Sequence, residues 1–212
     1  MTIFWLGQSA FKIQDKEVTV AVDPYGEIGL KMPKFNAEVL LISHGHDDHN
    51  NKDAIKGTPF LIDGPGEYEV KNVFVYGIPA LHDDKEGAER GKITMFLIEM
   101  EGIKIAHLSD FGQKSLTAEQ LGMLEGVDIL LIPVGGHFTI DGEEAAKIVS
   151  QLQPRIVIPM HYKIPHLNIK LDPVDNFLKE FGVTSPEKME KLKISKKDLP
   201  QEETKVIILT PS

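Results

Sequence analysis

The sequence predicts an α/β (α+β) fold in which helices cover β-sheets, and three observations lead there. The apolar runs are short and rich in Val and Ile, with Gly, Pro, Asp and Asn between them, as strands and their turns require. The first half reads as strands in hairpins, whereas the second alternates strand and helix, the mixture expected of layered sheets. The 212 residues, 42% of them hydrophobic, fit one large domain over 1–212 with a sizeable core.

In chain order, strands are expected at Val18–Val22, Val39–Ile42, Val73–Tyr76, Met95–Met100, Ile103–Leu108, Asp128–Ile132, Arg155–Ile158 and Lys205–Leu209. QDKEV and EMEGIK read as hairpin turns. A short helix is expected over Lys52–Lys56. Thr117–Gly126 opens on a Thr cap and closes on Gly. Asp141–Pro154 has an acidic first turn and sets Ala145, Ile148, Val149 and Leu152 on one face. Asp172–Gly182 combines an Asp cap, Pro in the first turn and Gly at the end. Pro186–Lys197 carries five Lys and two Glu. A solvated helix and loop is the preferred reading there, over a substrate-facing or RNA-facing patch.

Charge and composition narrow the function. The net charge of −9 disfavours broad phosphate-driven binding to nucleic acid without excluding it, because bound cations would add local positive charge. No apolar run approaches the roughly 20 residues of a membrane span. The start, MTIFWLGQSAFKI, has neither a basic leader nor a small-residue cleavage site, so the cytoplasm is expected. With no cysteine, disulfides, thiolate metal sites and thiol nucleophiles are all out. Any metal must sit on His, Asp or Glu.

One stretch demands such a metal. ISHGHDDHN, Ile42–Asn50, packs His44, His46 and His49 with Asp47 and Asp48 into six consecutive positions. Neither a core nor a plain surface calls for that crowd. It follows the strand VLLIS. His82 follows VFVYGIPAL, Asp110 follows IKIAHLS, and His161 follows RIVIPM. Four strand ends thus supply metal-competent side chains, and layered sheets place sites outside the carboxyl ends of their strands. His44, His46 and His82 could hold one ion, and Asp48, His49 and His161 a second, with Asp110 bridging. Such donors suit zinc, and iron or manganese as well. Asp83 and Asp84 compete with His82. His107 falls on the strand face opposite Asp110, which suits a supporting role. His137, in PVGGHFT, is either a substrate contact or a plain loop residue. His166 reads as surface. Pocket walls are expected from the loops Pro24–Pro33, Gly64–Glu69, Asp83–Gly91 and Lys163–Leu171, and DPYGEIGLKMP, with Tyr25, Leu30 and Met32, is the expected lid.

HGHDDH resembles the His-x-His-x-Asp-His signature of the metallo-β-lactamase superfamily, and His82, Asp110 and His161 follow in the superfamily's order. The resemblance runs from about Trp5 to about Tyr162. It implies a four-layer αββα sandwich of two mixed β-sheets with metals at one edge, and a hydrolytic activity. WLGQSAF, AVDPY, GPGEYE, PALH, IPVGGHFT and IPMHY look most similar to the β-lactamase-fold zinc-dependent hydrolases, a branch with ascorbate-6-phosphate lactonase-like and phospholipase D-like enzymes. Many true zinc β-lactamases carry a Cys where this chain has Asp110, so antibiotic hydrolysis is not expected as the native role, beyond weak promiscuous activity.

The expected function is hydrolysis of a small-molecule phosphodiester, lactone or other ester by a hydroxide activated between two metals. Asp48 would orient the hydroxide and relay a proton, and His137 would stabilise the oxyanion or leaving group. A nuclease acting on RNA or single-stranded DNA is one alternative. A metal-dependent small-ligand-binding protein with little turnover is the other. Substrate, native metal and oligomeric state are not legible in the sequence.

Overall fold

Period-two alternation sorts the side chains of the first-half strands onto two faces. The computed structural model describes all residues from Met1 to Ser212. In it, β1 (Thr2–Gly7), β2 (Ala10–Gln14), β3 (Thr19–Val22), β4 (Phe35–Asn36), β5 (Val39–Leu41), β6 (Ile55–Lys56) and β7 (Phe60–Ile62) are followed by β8 (Gly66–Val70), β9 (Val73–Leu81), β10 (Lys92–Met100) and β11 (Ile103–His107). Then come α1 (Ala118–Met123), β12 (Ile129–Pro133), α2 (Gly142–Leu152), β13 (Ile156–Met160), α3 (Val174–Glu180), β14 (Glu187–Met189), β15 (Leu192–Lys193) and β16 (Lys205–Leu209).

Two mixed sheets result. One has the order β15-β1-β2-β3-β5-β7, and the other β14-β16-β13-β12-β11-β10-β9-β8. Val20, Val22, Val39 and Leu41 point into a cluster of 50 buried residues shared by both sheets. The alternate positions Ala21, Leu40 and Ile42 face outward, onto Ala37, Ala54 and Ile55. This is the architecture expected of the metallo-β-lactamase fold. The α-helices pack against the second sheet and each other: Gln120 Nε2 of α1 donates to Pro79 O of β9 at 2.9 Å, while α2 contacts β12 and α3. The outer face of the first sheet is covered by the short β4–β6 pair and loops instead.

Several local expectations change. The helix expected over Lys52–Lys56 is a single 3-10 turn, Lys52–Ala54, running into β6. Its capping Asn51 makes no side-chain cap bond. Helices α1 and α2 open on Thr117 and Asp141 with reciprocal capping boxes, each cap contributing about 1 kcal/mol. α3 starts from Pro173, so Asp172 is not its cap. The Lys-rich segment is not a solvated helix: β15 pairs with β1 and β14 with β16, so it adds an edge strand to each sheet. Lys193 pairs with Thr2, at the start of β1, and Lys196 Nζ contacts Asp128 Oδ2 at 2.7 Å. The expected lid is packed down. Tyr25 is buried and donates to Leu6 O at 2.7 Å, and Leu30 and Met32 pack with Leu6, Ala10 and Ile28.

Strand direction explains why the donors meet. β9 and β11 flank β10, each antiparallel to it, and β11, β12 and β13 are mutually parallel. Their carboxyl ends therefore share one edge. In the first sheet, β1, β3 and β5 likewise point one way. No helix of the protein is long and apolar enough to cross a membrane.

Candidate metal centre

Each strand at that edge ends in a polar residue. Gln8 follows β1, Asp23 follows β3, His44–His49 follow β5, His82 follows β9, Asp110 follows β11, His137 follows β12 and His161 follows β13. Gln8, Asp23, His137, His161 and Ser109 all adopt left-handed backbone, with φ between 44° and 58°. Strain of this kind in non-glycine residues gathers where chain geometry serves a site.

Two donor groups form. His44, His46 and His82 make one, and Asp48, His49, Asp110 and His161 the other, with donor atoms inside each group all within 4.8 Å. Asp110 Oδ2 joins them: it lies 3.1 Å from His49 Nε2, 3.4 Å from His161 Nε2 and 3.4 Å from His82 Nε2. His44 Nε2 and His46 Nδ1 converge to 3.1 Å. Asp47 is exposed and belongs to neither group. Asp83 is also outside them, because its carboxylate accepts the backbone N–H groups of Lys85, Gly87, Glu89 and Arg90.

A supporting network fixes the ring nitrogens. Asp23 Oδ2 accepts from Ser43 Oγ at 2.7 Å and from His49 Nδ1 at 3.1 Å, and Ser109 Oγ donates to Ser43 Oγ at 2.6 Å. With the Ser43 proton on Asp23, His44 Nδ1–H donates to Ser43 Oγ at 2.9 Å. With Nδ1 engaged in this way, Nε2 is the atom that both His44 and His49 would present to a metal. His107 is buried and supports from behind. Its Nε2 donates to Ser9 O at 2.8 Å, and Ser9 Oγ donates to Asp110 Oδ1 at 3.2 Å.

Metal cations fit these residues. His49 Nε2 is buried with no hydrogen-bond partner, yet it faces the oxygens of Asp110 at 3.1 Å and Asp48 at 3.5 Å. In the metal-free chain, burial opposes charge on Asp110, but His161 and His49 outweigh it and hold the carboxyl well below the usual range. Burial likewise opposes charge on Asp48, which hydrogen bonding to His49 overrides, lowering it to about 2. Burial and the nearby His49 push His44 down to about 3, leaving it neutral. Anionic carboxylates and a neutral imidazole are the states a divalent cation needs.

Two glycines let the ligands approach. A Cβ on Gly135 would overlap the His161 carbonyl oxygen, and one on Gly112 the His82 carbonyl. Gly45, by contrast, is not in a left-handed conformation and has open space around it, so the turn through HGHDDH does not depend on it.

A cavity of about 410 Å³ opens on the donors, lined by His46, Asp48, His82 and Asp110 together with Arg90, Phe138 and Ile169. His137 does not line it. Its Nε2 lies 3.5 Å from Asp172 Oδ1 and its carbonyl accepts from Arg90. Sequence reasoning missed Asp23, Gln8 and Phe138, and it named Arg90 only as part of the Asp83–Gly91 wall. Asp23 and Gln8 carried the same strand-end signal as the ligands. Phe138 carried none, because loop packing alone brings it to the cavity.

Two sheets with five histidines and two aspartates at one shared edge define a metal-dependent hydrolase of the metallo-β-lactamase fold. The family model described as the beta-lactamase superfamily domain matches residues 2–161, and the chain belongs to that family. It is similar to a UPF0173 metal-dependent hydrolase of Lysinibacillus sphaericus, 31% identical over a 194-residue alignment covering 76% of this chain and 85% of the relative. A relative of the same description from Thermococcus onnurineus is 32% identical over 189 residues, covering 74% and 83%. Among solved structures, a Thermotoga maritima protein assigned to the Zn-dependent hydrolases of the metallo-β-lactamase superfamily superposes with a TM-score of 0.81 at 34% identity. It covers 98% of this chain and 97% of its own.

Proposed function

We propose that residues 1–212 act as one domain that hydrolyses a small-molecule ester, lactone or phosphodiester with two zinc ions, iron and manganese suiting the same donors. The supporting observation is the reach of Asp110 Oδ2 to His82 in one donor group and to His49 and His161 in the other, the placement a bridging carboxylate needs. His44, His46 and His82 would hold the first ion, and Asp48, His49 and His161 the second. A cation pair held there supplies Lewis acidity and brings the ionisation of water toward neutrality.

The chain's own groups do the rest. Asp48 Oδ2 is steadied by Gln8 Nε2 at 3.1 Å. Anionic at neutral pH, it orients the attacking water toward the carbonyl or phosphoryl centre and takes up the water's proton as the new bond to that centre forms. The bond to the leaving oxygen then breaks, and that oxygen takes up a proton. His137 is the proposed donor to it, a role that requires its imidazole to turn from Asp172 into the cavity that its neighbour Phe138 lines. Asp23, Ser43 and Ser109 hold the imidazoles in register throughout.

The lactonase-like and phospholipase D-like branch of the superfamily is the proposed placement, supported by the GPGEYE, PALH and IPMHY strings. A screen of phosphodiester, lactone and thioester substrates against zinc- and manganese-loaded protein tests the reading. Turnover lost in His46→Ala is expected. Full metal occupancy with no turnover of any class would instead favour a ligand-binding protein.

A further inference from the structure

The cavity contains a cation that the donor groups do not use. Arg90 lines it beside His46, Asp48, His82 and Asp110. Its guanidinium donates to His137 O at 3.3 Å, and its contact with a carboxylate is a 3.9 Å approach to the exposed Glu89. A guanidinium offers five N–H donors in a rigid fork, so most of this one is left for an occupant of the cavity.

The position is built rather than incidental. Asp83, adjacent to the donor His82, gathers the backbone N–H groups of Lys85, Gly87, Glu89 and Arg90 at 2.7–3.1 Å. The loop carrying Arg90 is thereby tied to the strand end that carries His82. On its other side the guanidinium carbon stands 5.6 Å from the ring centroid of Phe138, which is 40% exposed. Ile169 adds an apolar surface to the same cavity. A planar cation over an aromatic ring, with an aliphatic wall nearby, matches an anionic head on an apolar body.

Resting on the hydrolase reading above, we infer that Arg90 determines specificity. The substrate is an ester whose non-reacting end carries an anionic oxyacid group, carboxylate or phosphate. That group pairs with Arg90 while its carbon chain lies on Phe138 and Ile169.

Calorimetric binding to zinc-loaded wild type, Arg90→Met and Arg90→Lys tests this with three probes. Hexanoate has no second anion, adipate has a carboxylate tail, and 6-(phosphonooxy)hexanoate has a phosphate tail. Wild type is expected to bind at least one tailed acid roughly ten-fold tighter than hexanoate, and the tighter tail identifies the group. Arg90→Met brings that ratio near one. Arg90→Lys keeps the charge and stays in between. A wild-type ratio of one, an unchanged ratio in Arg90→Met, or an equal loss in both variants overturns the inference. Turnover of the matching 4-nitrophenyl esters is read alongside. Tail preference without hydrolysis overturns the hydrolase reading and leaves Arg90 assigned; hydrolysis without tail preference does the reverse.

Discussion

Asp23 Oδ2 lies 3.1 Å from His49 Nδ1, and through Ser43 the same oxygen also holds His44. One buried carboxylate thus orients an imidazole in each donor group. Asp23→Asn should therefore weaken both sites together, by about 10- to 100-fold in affinity. Competition with a chromophoric chelator measures this. Loss confined to one site would show that Asp23 serves His49 alone.

The metal-free chain should have its own pH signature. Burial works against charge on His49, but Asp110, Asp23 and Asp48 outweigh it and raise its pKa well above the ordinary imidazole value. A raised folded pKa contributes stability fully present below about pH 6.5, and that stability is lost as pH rises through the folded value. The depressed carboxyls of Asp110 and Asp48 contribute above about pH 4, and lose that contribution as pH falls. Burial holds His44, His82 and His107 below the ordinary imidazole value, which costs stability as pH falls below about 6.5, so metal-free protein should melt highest close to pH 6.5. Cation binding needs neutral imidazoles, so zinc-loaded protein gains over the range where the free form weakens. The Tm gap between the two forms should widen from about pH 6 to about pH 9. A constant gap would contradict the charge assignment.

Backbone approach separates two glycines. Gly135→Ala would push a methyl into the His161 carbonyl, an overpacking that costs roughly 1–3 kcal/mol and displaces a donor of the second group. Gly45→Ala meets open space and should leave Tm unchanged. Thermal melts of the two metal-free variants check both, and equal effects would contradict the packing described.

Asp83 should act as the organiser of residues 85–90. Its carboxyl is pulled down to about 2, chiefly by the Arg90 backbone N–H, with further N–H groups from Lys85, Gly87 and Glu89 assisting. Loop order contributed by that anion is complete above about pH 4 and lost as pH falls toward about 2. Asp83→Ala should speed amide exchange across Lys85–Arg90 at neutral pH. Exchange rates matching wild type would mean the loop is held by something else.

Much of this architecture was legible because its signals are local. Val/Ile runs with Gly and Pro breaks located eight of the sixteen strands, and Thr117 and Asp141 announced their helices. The ligands stood out because strand ends carried residue types that no core wants. What escaped depends on long-range pairing. Nothing in PEKMEKLKISKK shows that it pairs with β1 and β16, because edge pairing is decided by partners far away in sequence. Lys52–Lys56 has a helical look, yet Ile55 pairs with Phe35 and ends the turn. Tyr25 reads as an exposed lid residue until Leu6 supplies a buried carbonyl for its hydroxyl.

The most direct test is zinc stoichiometry of the metal-free protein, titrated and read by elemental mass spectrometry beside Asp110→Ala. Two ions per wild-type chain, with the second lost or weakened at least ten-fold in Asp110→Ala, is the expected result. Binding of no ion, or of two ions with unchanged affinity in Asp110→Ala, would contradict a centre bridged by that carboxylate.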